Sequence, residues 1–81
     1  MQENKLKTLF STMDNSELMD VLAEIKAAGK TGTYEINSKF RKYVTEVSEI
    51  TCSPDNTVMM LTEISFFKEA AYRWYHDNID S

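Results

Sequence analysis

The stretch Ser53–Asn78, SPDNTVMMLTEISFFKEAAYRWYHDN, decides the fold. Ser53 is suited to cap a helix, Pro54 to begin its first turn, and Asp55 to face the positive end of its dipole. No Gly or Pro follows, so one helix is predicted to run to about Asn78. Its faces are unequal. Thr62, Ser65, Glu69, Arg73 and His76 make a narrow polar stripe. Met60, Leu61, Ile64, Phe67, Ala71, Trp74 and Tyr75 fill the opposite side, widened by Val58, Phe66 and Tyr72. A helix apolar over more than half its circumference is either wrapped by neighbours or turned in part toward a partner.

Upstream, the only two glycines lie in Gly29-Lys30-Thr31-Gly32, and they separate two further helical segments. Leu6, Leu9, Phe10 and Met13 recur at helical spacing. Asp14-Asn15-Ser16-Glu17 then resembles a restart, with Asp14 as cap and Glu17 completing a capping box. Leu18, Val21, Leu22 and Ile25 continue one face, and Gly29 is the expected stop in a left-handed conformation. Thr33-Tyr34-Glu35-Ile36 alternates as an extended segment would, but no second strand exists to pair with it. Asn37 or Ser38 caps the next helix, whose buried face is Phe40, Tyr43, Val44, Val47 and Ile50. The prediction is one all-α domain over 1–81: a small bundle of three long helices, the first broken into two near Met13 to Asn15.

Composition narrows the function classes. The 81 residues are 42 % hydrophobic and 27 % charged, which suits a globular domain. One His and one Cys give no zinc ligand set and no internal disulfide. A net charge of −4 argues against coating nucleic acid or an anionic membrane surface. The longest apolar run, Val58-Met59-Met60-Leu61, is far short of the ~20 residues a spanning helix needs. With no export signal in the first residues and a lone Cys52, a reducing cytoplasm is expected.

Gly29-Lys30-Thr31 imitates a phosphate loop, but Glu24 stands where that loop needs its first glycine, and the segment ends a helix instead of opening one. No nucleotide or other cofactor is expected. Cys52 and His76 lie 24 positions apart, and no acid or amide is placed to orient the imidazole as a base. The chain therefore reads as a non-enzyme. Lys26, Lys30, Lys39, Arg41 and Lys42, against Glu35 alone, make a basic stretch suited to an acidic protein surface. Five of nine aromatics fall between Phe66 and Tyr75. Phe67, Ala71 and Trp74 are assigned to the core. Phe66, Tyr72 and Tyr75, with Arg73, Arg41 and Lys42 nearby, are the candidate partner-binding residues, since Tyr and Arg often anchor interfaces.

At Asn37-Ser38-Lys39-Phe40-Arg41-Lys42-Tyr43-Val44-Thr45-Glu46-Val47 the chain resembles the small helical anti-sigma factor of T-even bacteriophages. The likeness extends back to Leu22-Ala23-Glu24-Ile25 and forward to Tyr72-Arg73. In that family a long first helix supplies much of the sigma-binding and dimer surface, whereas this chain breaks at Asp14 to Glu17. In size, acidity and lack of catalytic residues it looks like the small cytoplasmic regulators of T-even-type phages. The lysis-inhibition accessory protein, an antiholin, is among them. The resemblance implies a non-enzymatic regulator that binds another protein: a holin's cytoplasmic segment first, a sigma factor or polymerase domain second. An acidic immunity or antitoxin-type inhibitor is a third reading, and a homodimer is permitted by the width of the last helix. Direct nucleic-acid contact and membrane insertion are not expected.

Overall fold

The computed structural model describes residues 2–80, with side-chain surroundings for residues 5–79. It is all-α. Four helices follow in order: α1 (Gln2–Ser11), α2 (Asn15–Thr31), α3 (Lys39–Thr51) and α4 (Asp55–Tyr75), and a π-helical turn over His76–Asp80 extends the last. The expected break gives α1 and α2. Asp14 holds extended backbone there, and its carboxylate accepts the Glu17 N–H at 2.8 Å, which supplies one orphan donor at the start of α2 with a partner. The Glu17 carboxylate turns to α3, where it accepts from the Tyr43 hydroxyl at 3.2 Å and pairs with Lys39 at 3.1 Å.

Two boundaries differ from expectation. α2 continues through Gly29 and stops at Gly32, whose φ of 86° is left-handed and whose N–H donates to the Ala28 carbonyl at 2.7 Å. A helix ends where the backbone can turn left-handed and still satisfy a carbonyl, and the second glycine does both. The Thr33–Ile36 segment is a loop that closes with a turn from Glu35 to Ser38, whose N–H donates at 3.2 Å. Cys52 ends α3 with a φ of 55°, a left-handed conformation without a glycine, and Pro54 takes the capping position of α4 expected for Ser53. Of the two caps considered for α3, Ser38 is the one used: its hydroxyl accepts the Arg41 N–H at 3.3 Å.

α1 and α2 both pack on α3 and α4, in a slab with principal extents of 37 × 34 × 17 Å. The short dimension is about two helices thick. Phe10, Met13, Leu18, Val21, Ile25, Phe40, Val47, Val58 and Phe66 form the core. Phe66 is its hub. Its ring meets Phe10 at 5.0 Å and Tyr43 at 5.1 Å edge-on, and tilts against Phe40 at 6.2 Å. Each such pair adds about 0.5–1.5 kcal/mol beyond area burial.

The orientation of α4 reverses the expectation. Val58, Thr62 and Phe66 are buried, with Glu69 and Arg73 partly buried, so much of the supposed polar stripe faces inward. Phe67, Ala71 and Trp74, assigned to the core from the sequence, are exposed. The physical reason is that the inward polar groups have partners. Thr62 donates to the Val58 carbonyl one turn back at 2.7 Å, so its burial leaves nothing unsatisfied. Glu69 and Arg73 pair at 2.7 Å.

Candidate partner-binding surface

Arg73 braces the junction between α1 and α2. Its Nε donates to Glu69, its Nη1 to the Asn15 side chain at 2.8 Å, and its Nη2 to the carbonyls of Phe10 at 3.1 Å and Met13 at 2.5 Å. The Phe10 carbonyl is one of those that the end of α1 leaves without an intrahelical donor, and the Met13 carbonyl lies in the link between α1 and α2. The guanidinium's rigid fork suits this multiple contact, and a partner cannot use it without opening the junction. Phe66, fully buried, is equally unavailable. Both residues expected at the partner surface thus hold the fold.

The basic stretch is also partly committed. Lys39 reaches Asp20 at 2.6 Å and Glu17 at 3.1 Å, and its hydrogen bond to Asp20, then that to Glu17, holds the ammonium pKa above the usual lysine range. Glu24 caps α3 from outside that helix. Its carboxylate accepts the backbone N–H of Lys39 at 3.1 Å and of Phe40 at 2.8 Å, a favourable place for negative charge. Local spacing carried no signal for this contact, which joins residues 15 and 16 positions apart. Arg41 donates through Nε to the Tyr34 carbonyl at 3.4 Å, and Lys42 is exposed on α3.

Tyr34 pins the loop it sits on. Its ring stacks on Phe40 at 4.1 Å, and its hydroxyl donates to Glu63 at 2.6 Å. Burial, then the hydrogen bond to Glu63, raises its pKa well above that of a free phenol. Burial and the nearby Glu17 carboxylate push Tyr43 up to about 12.

Two recesses flank α4. One, of about 480 Å³, lies against the end of α2 and includes Ile25, Tyr34, Arg41, Met59, Glu63 and Phe67. The other, of about 500 Å³, is a more apolar groove between α1 and α4, with Leu6, Phe10, Leu61, Ile64 and Tyr72 along it and Lys7 and Lys68 beside it. Tyr72 is 66 % exposed and stacks on His76 at 6.2 Å. Between the recesses runs the outward face of α4, where Met60, Ile64, Phe67, Ala71, Trp74 and Tyr75 are all exposed. The structure therefore separates the candidate residues. Arg41 borders one recess and Tyr72 the other, with Tyr75 near the end of the face between them.

Cys52 is an exposed free thiol at the C-terminal end of α3, with its Sγ 3.9 Å from the Glu49 carbonyl oxygen. Among the described residues no group of three His, Cys, Asp or Glu side chains is placed to hold a metal ion, and no helix is long and apolar enough to cross a membrane. Comparison of the chain with protein-family models, with curated proteins and with solved structures gave no match.

Proposed function

We propose that the protein is a non-enzymatic regulator that acts by holding a segment of another protein in the groove between α1 and α4. The observation that carries this reading is the groove's chemistry. Its floor is apolar, Tyr72 stands largely exposed along it, and the lysines Lys7 and Lys68 border it. That arrangement suits an amphipathic helix with apolar anchors three and four residues apart and carboxylates at its margins. The phage part of the reading is supported by the sequence resemblance: a cytoplasmic lysis-inhibition accessory protein, or antiholin, whose target is the soluble segment of a holin. An anti-sigma role is the second reading, supported by the motif at Asn37–Val47. The acidic-inhibitor reading loses support from the structure, because Glu17, Asp20, Glu24, Glu63 and Glu69 are engaged within the chain itself.

The test is calorimetric titration of the purified protein with the soluble segment of a T-even-type phage holin and, separately, with a host sigma-factor domain. Binding of the holin segment, weakened about tenfold or more by Tyr72→Ala or Leu6→Glu with helical circular dichroism intact, is the expected result. Binding of the sigma domain alone transfers the groove to the transcriptional reading. Binding of neither rejects both.

A further inference from the structure

The outward face of α4 has a regularity that extends well beyond the groove. Met60, Ile64, Phe67, Ala71 and Trp74 follow one another at spacings of four, three, four and three. This is the repeat by which one helix packs its side chains between those of another. Thr57 and Asn78 continue it at either end. No charged side chain interrupts the stripe from Met60 to Trp74, and Tyr75 adjoins it.

We infer that this stripe is closed by the same stripe of a second copy, making a two-fold symmetric dimer. Three observations select a second copy as the occupant. The first is the repeat itself. A continuous four-three stripe fits a helix of matching repeat, and a two-fold axis sets α4 against its own equivalent. The second is area. Met60, Ile64, Phe67, Trp74 and Tyr75 are 43–63 % exposed. At about 200 Å² per side chain they offer roughly 550 Å² per copy, near the upper end of patches on monomers and most of the ~800 Å² each partner gives a standard interface. The whole chain points the same way. Its accessible surface is 5925 Å², about 900 Å² more than a folded monomer of this mass is expected to expose. The third is charge. Each copy carries −4, so copies repel at most surfaces and approach best through an uncharged one. Of the stripe residues only Ile64 also lines the groove between α1 and α4.

The experiment is sedimentation equilibrium of the purified chain from micromolar to submillimolar concentration, with no target present. The expected result is a mass of twice 9.4 kDa at the upper end. Phe67→Glu and Trp74→Glu should each stay at the single-chain mass with helical circular dichroism retained, while Tyr72→Ala should still dimerise. Trp74 is the only tryptophan and lies in the stripe, so its emission should shift to the blue as wild-type concentration rises, and this readout needs no variant. A single-chain mass throughout, a dimer unaffected by both glutamate variants, or emission independent of concentration would overturn the inference.

Discussion

Phe66 and Phe67 are adjacent, of one residue type, and in opposite situations. Phe66 is fully buried and touches three aromatic rings of α1 and α3, whereas Phe67 is 54 % exposed within a solvent-facing stripe. The same contrast runs along the whole of α4. Its inward side mixes Val58, Thr62, Phe66, Glu69 and Arg73, while its outward side is almost entirely apolar. Polarity alone therefore does not tell which side of a helix is buried. What decides is whether each polar atom finds a partner once inside, and Thr62, Glu69 and Arg73 all do.

The sharpest way to break this contrast is to truncate the two phenylalanines separately. Phe66→Ala should cost about 3–5 kcal/mol, enough to unfold much of so small a domain at room temperature. Phe67→Ala should cost within about 0.5 kcal/mol in urea unfolding at low protein concentration. Near-equal losses would mean that α4 is rotated relative to the arrangement described. Next comes Arg73→Ala, expected to cost about 3 kcal/mol because it leaves Glu69 and the Phe10 and Met13 carbonyls without a donor. Tyr75→Ala, two positions on and outward, serves as the near-neutral comparison in the same thermal or urea assay.

A third test uses pH. Tyr43 titrates at about 12 in the folded chain against an ordinary value of 10.0, raised first by burial and then by Glu17. Its contribution is therefore fully present below pH 10 and is lost as pH rises from there toward 12. Tyr34 and Lys39 are raised in the same sense, so their contributions also disappear on the alkaline side. The melting temperature should fall steeply above pH 10, and Tyr43→Phe should remove part of that fall. The smallest expected effects lie at helix ends away from both faces of α4. Gly32→Ala has open space for its methyl group but a φ of 86°, so it should cost about 1 kcal/mol of backbone strain. Cys52→Gly relieves a left-handed residue at a helix end and should gain up to about 1 kcal/mol.

Much of the fold was legible because its signals are local. The break at Asp14, a cap at Asn37 or Ser38 and the apolar repeats of α1 to α3 each depend on residues within a turn or two of one another. The extent of α2 was less so, since both glycines could end it and only the turn geometry chooses Gly32. The face of α4 was misread for a different reason. A helix apolar on most of its surface has little directional signal, and the few polar residues that seemed to give one are held by groups up to 63 positions away. The candidate site inherited that error. Tyr72 and Tyr75 are exposed as expected, but Phe66 and Arg73 belong to the interior arrangement, and the groove beside Leu6 depends on tertiary packing that no spacing expresses.

The Arg73 brace also has a consequence for the order in which the chain folds. Glu24 and Lys39 bring α2 and α3 together across about 15 to 20 residues, whereas Arg73 closes a loop of about 60 to reach α1. The longer closure costs roughly 1 kcal/mol more in chain entropy. The corner between α2 and α3 is therefore expected to form early, with α1 secured after the barrier has been crossed. In stopped-flow urea kinetics, Arg73→Ala should speed unfolding by about a hundredfold while barely slowing folding, whereas Glu24→Ala should slow folding itself. One side chain would then set how long the folded state lasts without setting how quickly it is reached.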